Sequence, residues 1–268
     1  MLAIAIAFQL SAAAHISRGD SLRAALRPDG ALEEYRRALA LDSTGYAGLW
    51  RAAQATIDVA KRLPDSLRPR RDSLYLAARA YAEQAIRSDS LGADGHFELA
   101  QALGRYARTR GGRERVRYGR IIYDEAARAL ALNPRHDGAH HVLGAWHAEV
   151  KRLPAVTRFL ARTLFGAGFL GRASWDSATA HLEQAVALRP EFIYHRLELA
   201  QVYLDQHRPG AARAQLARIA TLPVSDVLDP RYQEEAARLL QTLATKPPAP
   251  DAAAAGAAAA PDGAPPRP

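Results

Sequence analysis

Four histidines crowd one short stretch of the chain: His136, His140, His141 and His147. Two histidines at i and i+4 of a helix, completed by a carboxylate or a third histidine, would hold a divalent metal. His136 and His140 have that spacing, but Pro134 places His136 in a turn. His140, His141 and His147 occupy positions where a sister segment carries Leu49, Trp50 and Thr56. They read as packed or groove-lining side chains, with metal binding as a minor alternative. No metal ligand and no cofactor is assigned.

A second concentration is basic. Arg105, Arg108, Arg110, Arg113, Arg115, Arg117 and Arg120 fall between and around Tyr106 and Tyr118. Guanidinium groups grip phosphate or carboxylate in bidentate fashion, so this insert could clamp an acidic peptide or a nucleic acid. Charge runs are more often solvated faces, here with Glu114, Asp124 and Glu125 at hand for pairing, and that reading is preferred. The formal charge of +8 adds little, because 33 of the 36 basic residues are arginine in an alanine-rich chain, a skew that reads first as genome composition. Gly166-Ala-Gly168-Phe-Leu-Gly171 matches a dinucleotide fingerprint literally, yet Val156 to Phe165 reads as helix or loop where that motif needs a strand. The chain has no cysteine, which excludes disulfides, thiolate metal sites and a thiol nucleophile. With no G-x-S-x-G, P-loop or H-E-x-x-H either, no catalytic residue is nominated and no enzymatic activity is expected.

The elements that must position these side chains follow from self-comparison. Ala31…Tyr35…Ala38…Leu41, Ala78…Ala82…Ala85, Ile122…Ala126…Ala129…Leu132, Ala178…Leu182…Ala185…Leu188 and Ala212…Leu216…Ile219…Leu222 share one apolar stripe at helical spacing. Pro134 and Pro190 stop two of these helices. A small residue follows at a constant 15 positions: Ala38 to Ala53, Ala85 to Ala100, Ala129 to Gly144, Ala185 to Ala200. Small side chains let two helix backbones approach as an antiparallel pair. Gly19 lies 34 residues before Ala53, so a first pair begins near His15. Later units are longer by 13, 10 and 22 residues, and the constant half places each insert between the two helices of a pair. Such units cannot bury their apolar faces alone and must stack.

The expected fold is therefore all-α: a right-handed helical solenoid of about five helix pairs with long inserts and a C-terminal capping helix near Pro230–Thr245. Residues 1–14 read as a signal peptide cut before His15, which implies an exported protein; a cytoplasmic one is the alternative. Residues 15–245 form the repeat domain, and the Ala/Pro-rich 246–268 a disordered tail. No run of 18 apolar residues suggests a membrane span.

A 34-residue unit with a small residue in its first helix, alanines in its second and a terminal proline resembles the tetratricopeptide repeat. His140-His141-x-x-Gly144-x-Trp146-x-x-Glu149, followed by Leu153-Pro154 and Leu164-Phe165-Gly166, is similar to the regulator of microtubule dynamics family, as is Leu222-Pro223 through Asp229-Pro230-Arg231-Tyr232 to Leu240. This chain departs from the family at Ala145, where an arginine is usual, and in the Gly-rich 167–172 stretch. Microtubule association would not carry over to a chain exported by a bacterium, where tubulin is absent.

The repeat resemblance implies that the first helix of each pair lines a concave groove. Trp50, Phe97, His141 and Leu197 stand three residues before the small positions; Gln54, Gln101, Ala145 and Gln201 stand one after. Rings beside amides suit an extended peptide. The leading expectation is a monomeric, non-enzymatic scaffold whose groove or inserts bind another protein. The alternative is a cytosolic Arg-rich-loop module that binds nucleic acid or an acidic polymer; nucleic acid is not favoured.

Overall fold

A computed structural model describes residues 11–164 and 166–245. The expected signal-peptide core up to Leu10, Phe165 and the Ala/Pro-rich tail lie outside the described residues. The described chain is a helical solenoid: α1 (Ala12–Ala24), α2 (Pro28–Leu41), α3 (Tyr46–Lys61), α4 (Arg68–Ser88), α5 (Ala93–Ala107), α6 (Gly112–Leu132), α7 (Asp137–Arg152), α8 (Ala155–Leu164), α9 (Trp175–Leu188), α10 (Ile193–Asp205), α11 (Pro209–Ile219) and α12 (Asp229–Thr245).

The stripes that mark the second helices are the buried ones. Ala31, Tyr35 and Ala38 of α2, Ala78, Ala82 and Ala85 of α4, and Ala178, Leu182 and Ala185 of α9 all pack inside. Alanine serves here because it is the best helix former and keeps neighbouring axes close. Gly19 lies under the ring of Tyr35, and Gly144 lies against Leu182 and the Ala178 carbonyl. Ser11, His136 and Ser174 start α1, α7 and α9 by accepting from the amides of Ala14, Ala139 and Ser177. Proline in the first turn starts α2, α4 and α11, where its missing N–H is not needed.

The two pairs without inserts turn alike. Leu26 and His207 both have φ of 57°, and Arg27 and Arg208 donate back to the Leu22 and Tyr203 carbonyls at 2.9 and 2.8 Å. These are αL helix ends of the kind glycine usually serves.

The inserts are largely helical. The first is a 3-10 turn, Asp65–Leu67, plus extra turns of α4. The second is mostly helix, because α6 begins at Gly112 and carries Arg113, Arg115, Arg117 and Arg120. The third contains α8 and the 3-10 turn Gly168–Arg172. A helix, with no strand, therefore precedes the Gly166 motif. Among the described residues no helix is long and apolar enough to cross a membrane.

The solenoid closes on itself. Lys61, at the end of α3, reaches Asp226 in the loop before α12 at 2.9 Å, and Asp58 at 2.8 Å. Arg23 of α1 binds the other oxygen of Asp58 at 3.0 Å. The capping helix begins at Asp229, one residue before the expected Pro230, since its carboxylate accepts from the Ser225 and Asp226 amides, each at 2.7 Å.

Candidate functional site

The concave face encloses a cavity of about 860 Å³. Its walls come mainly from α3, α5, α7 and α10, because these first helices face inward while the second helices carry the outer layer. Trp50, Gln54, Phe97, Gln101 and His141 line it, along with Ala145. The fourth repeat of the pattern fails. Leu197 is buried in the core with Ile193 and Leu199, and Gln201 donates to Glu235 of α12 at 2.8 Å. The capping helix covers that end of the row, so both residues serve the cap and neither lines the cavity.

The residues of the family motif hold the helices together. His140 donates from Nε2 to the Pro134 carbonyl (3.0 Å), which leaves Nδ1 to accept from His181 at 3.0 Å. Gly144 admits α9. Trp146 is buried and donates to the Gly119 carbonyl at 2.8 Å, so α6 and α7 are pinned together. Glu149 is exposed at the cavity wall and bridges Arg115 and Arg152. Leu164 ends α8, Gly166 follows with φ of 61°, and Phe165 lies outside the described residues.

His141 stacks near Tyr194 and faces His195, whose Nε2 meets Asp137 at 3.0 Å. An ionised carboxylate only accepts, so His195 donates from Nε2 and accepts at Nδ1 from His141. Burial opposes ionisation of Asp137, yet the His195 hydrogen bond and charge hold it down to about 2. Burial pushes His181 down to about 4, helped by His140 and His147. Burial disfavours the charged forms of His141, His147, His181 and His195, which are packed between the helices. Among the described residues no three His, Asp or Glu side chains are grouped to hold a metal ion.

The arginine run divides. Arg110 pairs with Asp72, Arg115 with Glu149 at 3.2 Å, Arg117 with Glu114 at 3.9 Å and Arg120 with Asp124 at 3.7 Å. Glu125 is instead taken by His96 at 2.6 Å. Arg113 sits in the first turn of α6. Arg105 departs most from the expected solvated face: it is half-buried in the cavity wall, with its guanidinium over the Tyr194 ring at 5.4 Å. Arg108, two turns after Gln101, lines the same wall.

Glu98 lines this cavity, is fully buried, and has no hydrogen-bond partner at either carboxyl oxygen. Self-comparison passed over it, although Glu198 repeats it two residues before Ala200. The difference is the partner: Arg152 binds Glu198 at 3.0 Å, whereas Lys61, its counterpart beside Glu98, is drawn away to Asp58 and Asp226. Burial holds the Glu98 carboxyl well above the ordinary range; Arg23 and Lys61 oppose this and Asp58 and Asp94 reinforce it. The unfolded chain ionises Glu98 at pH ~4.3. Folding is therefore unpenalised below that pH, increasingly penalised as pH rises toward the folded value, and penalised in full above it. Glu98→Gln is expected to raise the urea midpoint at pH 8 and leave it unchanged at pH 4, each tenfold difference in proton affinity between the folded and unfolded chain being worth about 1.4 kcal/mol. Equal midpoints at pH 8 would contradict the raised value.

Residues 15–244 match the family model described as regulator of microtubule dynamics protein 1-3. The chain is 27% identical over 199 residues to regulator of microtubule dynamics protein 1 of Bos taurus, covering 74% of this chain and 62% of that protein. It is 26% identical to regulator of microtubule dynamics protein 3 of Bos taurus, over 70% of this chain and 39% of the relative. The chain thus spans less than two thirds of the length of these relatives. A solved TPR protein of Thermus thermophilus superposes with a TM-score of 0.59 at 22% identity, covering 86% of this chain and all of that one. Pseudomonas aeruginosa pilF gives 0.51 at 15% identity, over 87% of this chain and 88% of its own. Both likenesses concern the fold.

Proposed function

Since the chain belongs to the regulator of microtubule dynamics family and folds as a tetratricopeptide-like solenoid, we propose that it is a non-enzymatic scaffold that binds another protein in its concave cavity. The observation that carries this reading is the wall itself: Trp50, Gln54, Phe97, Gln101 and His141 come from three successive first helices and meet around one space. Rings cover apolar side chains of an extended segment and amides pair with its backbone. Most of the arginine run is engaged at home, so a polyanion gains little from it.

The test is affinity capture from the native host. Trp50→Ala combined with Gln101→Ala, with helicity unchanged by circular dichroism, is expected to lower partner recovery by about tenfold, roughly 1.4 kcal/mol. Unchanged recovery would move the site off the cavity.

Export of the protein is part of the same proposal, on the apolar character of residues 2–14. The intact mass of the native protein reads it directly. A mass beginning near His15 in the envelope fraction is expected, and a cytosolic mass that includes those residues would refute export.

A further inference from the structure

Two ionisable groups in the cavity wall lack an ion-pair partner among the described residues. Glu98 has no hydrogen-bond partner, and among the described residues Arg105 makes no ion pair. Arg105 lies over Tyr194, whose ring stacks on Tyr232 at 4.6 Å, and donates a hydrogen bond to the Tyr232 hydroxyl, which is a neutral partner. A buried polar group without a partner is costly, and a ligand that supplies one recovers that cost.

Both groups lie on α5, seven residues apart, so they share a face about 10 Å apart along the axis. Gln101 stands between them, and Gln54 is on the neighbouring α3. A ligand matching both poles needs a cation and an anion on one side, separated by that distance. In a β-strand, residues on one face are about 7 or 13 Å apart, which misses it. A polyproline-II helix repeats its face every three residues, about 9 Å, and leaves its backbone carbonyls free for the two amides. Aromatic walls, here Trp50, Tyr194 and Tyr232, are what such segments dock against.

We propose that the cavity seats a polyproline-II segment of a partner with one basic and one acidic side chain three residues apart, the base against Glu98 and the acid against Arg105. This rests on the peptide reading above and adds the charge pattern and conformation of the occupant.

The test uses the full chain and end-blocked, fluorescently labelled peptides. Pro-Lys-Pro-Pro-Glu-Pro and its all-alanine counterpart, Pro-Ala-Pro-Pro-Ala-Pro, are compared by anisotropy. The charged peptide is expected to bind at least tenfold more tightly. Glu98→Gln should erase the advantage of Lys over Ala while keeping that of Glu, and Arg105→Gln should do the reverse. Arg105→Lys, which keeps the charge if the guanidinium's packing is needed for folding, should retain part of the preference. Equal binding of the two peptides, or no binding of either, overturns the charge pattern while leaving the Trp50 and Gln101 capture test standing. A tighter complex with a helical peptide whose Lys and Glu are seven apart overturns the conformation.

Discussion

Lys61→Met is expected to destabilise the protein by about 3–5 kcal/mol, because it leaves a buried carboxylate without its cation. Lys61 is almost wholly enclosed and serves Asp58 and Asp226, two residues 168 positions apart in the chain. Burial disfavours its charge, but the two carboxylates outweigh burial and raise its pKa. Arg23 would still neutralise Asp58, leaving Asp226 as the main uncompensated charge. Replacing both ends, Lys61→Met with Asp226→Leu, should recover most of the loss, as it removes the stranded group. The urea midpoint reads both variants, and hydrogen exchange should show residues 222–228 opening first in the single one. A loss below about 1 kcal/mol would mean the contact is solvated and does not close the solenoid.

Burial works against ionisation of Asp226, yet Lys61 and the Leu228 amide hold it below the ordinary aspartate range. The closure is therefore fully present above that range and lost as pH falls through the depressed folded value. Acid is therefore expected to loosen the contact between α3 and the loop before α12.

The second large effect is steric. Gly144→Leu is expected to cost about 3 kcal/mol or more, and Gly144→Ala about 1–3 kcal/mol. A Cβ at this position would stand 2.6 Å from Leu182 Cγ and 3.1 Å from the Ala178 carbonyl oxygen. The leucine can turn away, but the carbonyl belongs to α9 and moves only with the helix. Gly104→Ala is the control of opposite sign. It lies within α5 with nothing within 4 Å of its added methyl, so it should gain about 0.5–1 kcal/mol from helix propensity. Thermal melts of the three variants measure the contrast, and a Gly144→Ala protein as stable as the parent would show that the two helices are not in close contact there.

The contrast between these glycines marks what could be read from the chain. The constant 15-residue step from stripe to small residue located Ala53, Ala100, Gly144 and Ala200, the 34-residue unit located Gly19, and the close approaches at Gly19 and Gly144 bear both out. The three first groove positions were legible for the same reason: repeated register on a repeated helix puts side chains on one face. The row broke at Leu197 and Gln201 because α12 is not a repeat unit, so register carries no information about what it covers.

Local pattern determined the helices, their pairing and the inward faces, since each depends on residues within one or two turns or one adjacent unit. Tertiary structure alone decided which charges are satisfied. Glu98 and Glu198 are identical by register, yet only Glu198 is bound, because Lys61 answers a residue 165 positions away. The assembly of the inner helices around one cavity likewise turned Arg105 from an expected solvated arginine into part of its wall. Helical periodicity is a short-range property of the backbone; the closure of the solenoid sums small rotations over every unit, and no single segment records that sum.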